Sequence, residues 1–413
     1  VTPPSPSIDA KDEKGRVRSP MRAAPTQEDI RRQNLGALLR HVHVLGPTSR
    51  AQLTAGMGLN RSTIGALTAD LAAAGLIVEE APRDTSGGGR GRPSLVVRAQ
   101  SQRVYVYAFT IGVDRVVAAR VGLGGVILDR REIQRPGSGF SPKEVAEALG
   151  GFVAQMRLSA PRDGVCVGAG VAVCAMVRGS DGTIPEGHTP DWRDEPLGER
   201  LSAAIGTVVM VGNDADLGVV AEHTRGAAVG CDNVIYLHGD VCIGGGILSA
   251  GRPVTGGDGY AGEVGHMVVN PDGRPCRCGS RGCWETEIGE FALTRGTAKH
   301  AIGGLADSAA RGDQDAEEGL RRVGDWLGLG VANLVNILNP QMVVFGGTLR
   351  EVYLATAAQV RSRLNRTSLA VTREHLKLRT AALGDDAPLY GAAELAFGRL
   401  LDNPLEPGLE PAG

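Results

Sequence analysis

A chain of 413 residues exceeds what one ordinary hydrophobic core organises and predicts two or three domains. A net charge of -2 with 42% apolar residues describes a soluble globular protein without a global basic excess, and no apolar run approaches the roughly 20 residues of a membrane span. Seven cysteines, an odd number, do not read as a disulfide framework and point to a reducing cytoplasm, while 60 glycines with 4% aromatics favour a loop-rich α/β protein.

The first residues, VTPPSPSIDAKDEKGRVRSPMRAAP, lack the apolar stretch of a signal peptide, and their Pro, Ser and mixed charges predict a disordered tail over 1–26. Residues 27–98 form the next unit. Ile30, Leu35, Leu38, Leu39, Val42 and Leu45 make a helical stripe that Gly46-Pro47 stops. Ser49 to Gln52 is a capping box for a short helix reaching about Ala55. Asn60 caps a third helix with Ile64, Leu67 and Leu71 on one face. Gly75, the strand LIVEE, a Gly-rich loop and a returning strand complete the layout of a winged helix-turn-helix.

In that layout the start of the third helix faces base edges, which selects Asn60, Arg61, Ser62 and Thr63. Arg61 is the strong donor for a guanine edge or a phosphate, and Gly65 and Ala66 add almost nothing, so base readout is expected to be thin. Arg90 and Arg92 in GGGRGRP suit the narrow minor groove of A·T-rich DNA. Alone, RGRP would read as a solvated linker; behind a helix-turn-helix, DNA contact is the expectation. The unit is modestly basic, with nine Arg against six Asp plus Glu.

From residue 101 the pattern becomes α/β. VYVYAFTIGV, RVVAARVGL, GVCVGAGVAVCAMV, VVMVGN, NVIYLHG and GGGILSAG are β-rich, with helical KEVAEALGGFVAQMRL and LGVVAEHTRGAA between them. FALTRGTAKHAIG and EEGLRRVGDWLGLGVANLVNILN are helical, and QMVVFGGT is a late strand. Two lobes around a cleft are expected.

Within GHMVVNPDGRPCRCGSRGCWE, three cysteines fall in eight positions and a histidine lies ten residues before the first. Cys276, Cys278 and Cys283 with His266 would satisfy a structural zinc site with no vacancy, provided the backbone turns at Gly279 and Gly282. A disulfide and free surface thiols are the alternatives, and the spacing is not the usual CxxC pair.

GGGILSAGRPVTGGDGYAGEVGHMVVNPDGRPCRCGSRGCWE resembles the signature of the ROK family of repressors, open reading frames and sugar kinases. GNDADLGVVAE and GVANLVNILNPQMVVFGG resemble further motifs of that family. With the N-terminal unit, the resemblance covers about residues 30 to 400 and points to the transcriptional-repressor branch, similar to xylose and N-acetylglucosamine repressors. It implies an actin-like, ribonuclease H-like sugar-kinase body of two lobes over 101–413. It also implies zinc on His266, Cys276, Cys278 and Cys283, a homodimer or homotetramer, and operator DNA as partner. The family's sugar contacts carry over to Asn213, Asp214, Glu263, His266 and Glu285, whose amides and carboxylates pair with vicinal hydroxyls.

The departures point away from catalysis. Thr110 stands where the kinases carry the Asp of their phosphate turn, followed by Val113 and Asp114, so Mg²⁺ and phosphate lose their hold. Gly244, Gly245 and Gly246 persist, but Cys242 occupies a usual glycine position. Thr189 replaces an Asn that touches sugar, and CAM at 174–176 replaces a Pro-Gly turn, which leaves the effector's identity open. The expectation is a sugar-responsive transcriptional repressor rather than an enzyme; an ATP-dependent sugar kinase with an added module is the rival.

Overall fold

The computed structural model describes residues 26–82, 94–135, 139–187, 190–240, 242–289 and 307–406. All of the expected tail but its last residue, and the assignments to Arg90, Arg92, Thr189 and the helix at 291–303, lie outside them. Thr26 is a helix cap: its hydroxyl accepts from the Asp29 N–H and the Asp29 carboxylate accepts from the Thr26 N–H. That cap opens α1 (Gln27–Leu45). The apolar stripe is buried at Leu35, Leu38, Leu39 and Val42, while Ile30 and Leu45 at its two ends are exposed. The final helix of the chain meets α1 at Gly36 and at His43, inside the buried stretch.

After α1 come β1 (Thr48–Ser49), α2 (Arg50–Met57), α3 (Arg61–Ala73), β2 (Ile77–Glu80) and β3 (Val96–Ala99). Ser49 and Gln52 form the capping box, and the Asn60 side chain accepts from the Thr63 N–H at 2.8 Å. The strands pair antiparallel in the order β1-β3-β2, and the Arg50 guanidinium clamps the Glu79 carboxylate, tying α2 to the sheet.

The first five-stranded sheet comprises β4 (Val104–Ile111), β5 (Arg115–Gly122), β6 (Val126–Gln134), β7 (Val165–Val173) and β8 (Val209–Asn213), with α4 (Pro142–Leu158) and α5 (Leu197–Ile205) between strands. Helix α6 (Asp214–Arg225) then leads to β9 (Val234–Gly239), β10 (Ile243–Ser249) and β11 (Arg252–Pro253). Beyond α7 (Trp284–Ile288) lie α8 (Gln314–Leu338), β12 (Met342–Gly347), α9 (Thr348–Thr367), α10 (Ala370–Arg373), β13 (Lys377–Thr380) and α11 (Ala387–Asp402). The two sheets, β6-β5-β4-β7-β8 and β11-β10-β9-β12-β13, share one topology: an antiparallel trio extended by two parallel strands. Strand β6 was not expected from sequence. Its four consecutive charges, Asp129 to Glu132, hide an edge strand whose Leu128 and Ile133 still reach the core.

The N-terminal helices have no separate core. Leu38, Leu39 and Leu71 belong to one apolar cluster with Val106 of the first sheet and Phe397 and Leu401 of α11. Backbones approach closely where helices cross: a Cβ on Gly391 would stand 2.0 Å from the Leu217 carbonyl oxygen, and one on Gly36 2.5 Å from that of Leu401. Gly391→Ala should therefore separate α6 from α11 and cost about 1–3 kcal/mol, as overpacking does. Gly257→Ala, where nothing lies within 4 Å, is the control. Urea unfolding that is equal for both variants would show that the crossing has slack.

Candidate functional site

A cavity of about 590 Å³ lies between the two five-stranded sheets. From the first sheet come Cys174 beyond β7, Asn213 at the end of β8 and Asp214 at the start of α6; from the second come His238 of β9 and the β10 glycines. Asn213, Asp214, Glu263, His266 and Glu285, named from sequence as the sugar contacts, all line this one cavity.

Each of these side chains is already partly engaged by the fold. Asn213 caps α6, its oxygen accepting from the Ala215 and Asp216 N–H groups at 2.8 and 3.2 Å while its amide donates to the Ala175 carbonyl at 3.1 Å. Two acceptor positions and one N–H are thus used, which leaves one N–H for a ligand. Asp214 accepts from the Ala215 N–H at 2.8 Å, and its other oxygen lies 3.8 Å from His238 Nε2. Burial pushes the Asp214 carboxyl up, against the opposing pull of His238. Burial likewise raises Glu263, opposed by His266.

Asp216, which the sequence reading did not single out, is pushed up to about 7 by burial and then by the charges of Asp214 and Glu263. Its spacing two residues after Asp214 at a helix start was the signal available. Glu186, Arg193, His238, Cys242 and Arg277 also line the cavity without having been foreseen. Arg277 extends from between two of the cysteines and donates to Cys242 Sγ at 3.1 Å.

The cysteine cluster forms one wall. The ligand atoms of His266, Cys276, Cys278 and Cys283 all lie within 4.8 Å of one another. Cys276 Sγ is 3.6 Å from His266 Nδ1, and Cys278 Sγ is 3.6 Å from Cys283 Sγ. The edges of a zinc tetrahedron with sulfur and nitrogen ligands measure about 3.5–3.8 Å, so the donor set fits that ion. The backbone turns as required: Gly279 and Gly282 have φ of 88° and 68°, and a Cβ on Gly282 would strike the Asn270 carbonyl oxygen. Burial pushes the Cys276 thiol up to about 12, and a bound cation would reverse that direction. Glu285 spans wall and cavity, its Oε1 lying 3.2 Å from Cys276 Sγ and 3.9 Å from His266 Nδ1.

At the other end of the chain, Asn60, Arg61 and Ser62 are exposed and Thr63 half-buried at the start of α3. The Asn60 oxygen accepts from the Ser62 hydroxyl at 2.7 Å as well as from the Thr63 N–H, so the Arg61 guanidinium and the Asn60 amide N–H groups are the exposed donors at this helix start. Among the described residues, no helix is long and apolar enough to cross a membrane.

The ROK family model matches residues 106–399. The xylose repressor of Bacillus subtilis (strain 168) is 27% identical over 382 residues, spanning 91% of this chain and 98% of the repressor. A glucokinase of Streptomyces coelicolor is 31% identical over 314 residues, 70% of this chain and 97% of the kinase. Among solved structures, a ROK family transcriptional regulator homologous to the E. coli MLC protein superposes with a TM-score of 0.74 at 24% identity, covering 90% of this chain and 97% of its own.

The raised Asp216 carboxyl yields a pH test. Its value of about 7 exceeds the ordinary 3.8, so folding takes up a proton between the two. Stability from this group is greatest at acid pH and falls as the pH rises through about 7. Asp216→Asn should flatten the pH dependence of the melting temperature and melt above the wild type at about pH 8. Parallel profiles for the two proteins would refute the assignment.

Proposed function

The chain belongs to the ROK family, and from that premise we propose that it is a DNA-binding transcriptional regulator, a cytoplasmic repressor of carbohydrate uptake or metabolism genes. Its kinase-like body holds a sugar effector. The observation that carries the reading is the exposed start of α3, on a three-helix, three-strand unit that precedes the first residue matched by the family model. On this reading residues 27–98 are a winged helix-turn-helix whose Asn60, Arg61, Ser62 and Thr63 face the major groove. Arg90 and Arg92 are assigned to an A·T-rich minor groove on the same reading. Paired half-sites call for paired recognition helices, hence a homodimer or homotetramer.

The effector reading is supported by the convergence of Asn213, Asp214, Glu263, His266 and Glu285 on one cavity. Carboxylates that accept from hydroxyls and one spare amide N–H suit a polyol. His266, Cys276, Cys278 and Cys283 would hold a structural zinc, which supplies a fixed tetrahedral cross-link and no open coordination position. The chain's own part is to present His266 and Glu285 from that braced loop to the ligand. A non-catalytic body is supported by Thr110: it lies inside β4, paired with Val117 and Ala172, and has no charge with which to organise Mg²⁺.

Duplexes selected from a random pool by the purified protein supply the test. Arg61→Ala should lose about 1–3 kcal/mol of discrimination at the contacted base pair. Gel-shift affinities unchanged at fixed salt would remove the assigned reading surface. A coupled ADP assay with Mg²⁺ and a hexose panel decides against the kinase rival, and robust turnover would overturn the regulator reading. For the metal, about one zinc per chain is expected, lost in Cys278→Ser together with a marked fall in melting temperature. Metal-free protein of unchanged stability would exclude the brace.

A further inference from the structure

The last turn of α1 is fixed to the body by an enclosed polar group. His43, whose side chain is 0% exposed, accepts at Nδ1 from the Gly124 N–H of the β5–β6 turn at 2.8 Å. A backbone N–H only donates, so the imidazole hydrogen sits on Nε2, where both Glu394 oxygens lie at 3.1 Å. Arg225 donates to that carboxylate from Nε at 2.9 Å and from Nη2 at 2.6 Å. Its Nη1 donates to the carbonyls of His43 and Gly124 at 3.3 and 3.2 Å. Arg225 Nη2 also stands 2.6 Å from His43 Nε2. Two donors at that distance are held together because one carboxylate takes both. The Phe397 ring closes the group edge-on, 5.0 Å from the imidazole. Burial pushes the Glu394 carboxyl up, and His43 and Arg225 more than reverse this.

These residues ride on different parts of the body. Arg225 ends α6, which packs on β9 and β10 of the second sheet. Glu394 is on α11, which packs on β4 and β7 of the first, and Gly124 turns within the first sheet. His43 belongs to the unit that carries α3. The other end of α6 is Asp214, in the cavity, and eleven residues of helix place it roughly 16 Å from Arg225.

Stability alone does not call for such a group, since buried ion pairs replaced by well-packed apolar side chains are often neutral or stabilising. We infer that His43, Arg225 and Glu394 are positioning residues that transmit occupancy of the cavity to the DNA-reading unit, with α6 as the connecting rod. The inference rests on the regulator reading. When a ligand draws on Asp214 and the lobes shift, the displaced α6 carries Arg225 with it. Arg225 then changes its grip on Glu394 and on the carbonyls of His43 and Gly124. The seat of α1, and with it the spacing of α3 in an oligomer, follows.

The test uses the full chain, a duplex selected by the wild-type protein, and D-xylose, D-glucose and N-acetyl-D-glucosamine as probes. Affinity for DNA is measured with and without each sugar, and affinity for sugar with and without DNA, which linkage requires to change by the same factor. For a releasing sugar, wild-type DNA affinity should fall about tenfold or more. In Glu394→Gln and Arg225→Lys, sugar should bind as tightly as in the wild type while the release factor shrinks towards one. Arg225→Lys keeps the charge but cannot bridge the carboxylate and both carbonyls, so it serves if the glutamine variant does not fold. A purely structural role would lower the melting temperature and leave the release factor untouched; that result overturns the inference and spares the regulator reading. A wild-type protein that binds no selected DNA, or that none of the sugars releases, overturns both.

Discussion

Helices α6 and α11 cross with their backbones in contact, and the crossing determines where the cleft can form. Gly391 allows the Leu217 carbonyl to approach α11, and on the next residue Gly218 admits the Tyr236 ring, which would lie 2.3 Å from a Cβ there. Helix α6 is thereby packed between α11 and the second sheet. Its far end is tied as tightly: the buried Glu222 carboxylate accepts from the backbone N–H groups of Ala227, Ala382 and Leu383 at 2.6, 3.1 and 2.9 Å. A helix gripped along its length and at its end moves as one rigid piece, its first turn with its last. The first turn carries Asp214 and Asp216, at the helix terminus where the macrodipole favours negative charge.

The consequence is a cavity whose polar character is set by carboxyls. Asp214 and Glu263 line it, Asp216 behind them is raised by burial and then by both, and α7 adds Glu285 beside the cysteine cluster. Such a wall accepts hydrogen bonds, as hydroxyl groups require. Arg193 and Arg277 also line the cavity and offset part of that negative charge, Arg277 with one N–H on Cys242 Sγ. The cysteine loop needs glycine at 282, since a side chain there collides with the Asn270 carbonyl. The cysteine cluster and the cavity are therefore joined: His266 and Cys278 belong to both, and Glu285 touches Cys276 while lining the cavity.

Much of this was legible in the sequence because it depends on local rules. Caps announce themselves, and Ser49–Gln52 and Asn60 behave as their residue types dictate. The cysteine spacing and its flanking glycines likewise define a turn before any coordinates exist. What was hidden is what needs distant partners. His43 sits on an apolar stripe and Glu394 351 residues away, so neither sequence neighbourhood shows that a buried charge awaits the other. Ile30 and Leu45 fit the stripe but face solvent, because periodicity fixes a face and not how much of it is covered. Strand β6 lacks apolar alternation for a similar reason: an edge strand is free to carry charge.

Magnitudes decide whether a rod such as α6 is adequate as a link. Couplings between regulatory sites are typically about 1–3 kcal/mol, or 5- to 150-fold in affinity. A hydrogen bond to a charged group is worth about 1.5–3 kcal/mol net, so the gain or loss of one of Arg225's bonds to Glu394 already spans that range. A wholesale separation of the lobes is not required. Because the carboxylate serves His43 and Arg225 together, a bond weakened on the cavity side is felt on the α1 side without further machinery. The enclosed position matters for the same reason: in water, solvent would replace any bond that loosened, and the difference between the two arrangements would shrink below what a switch needs.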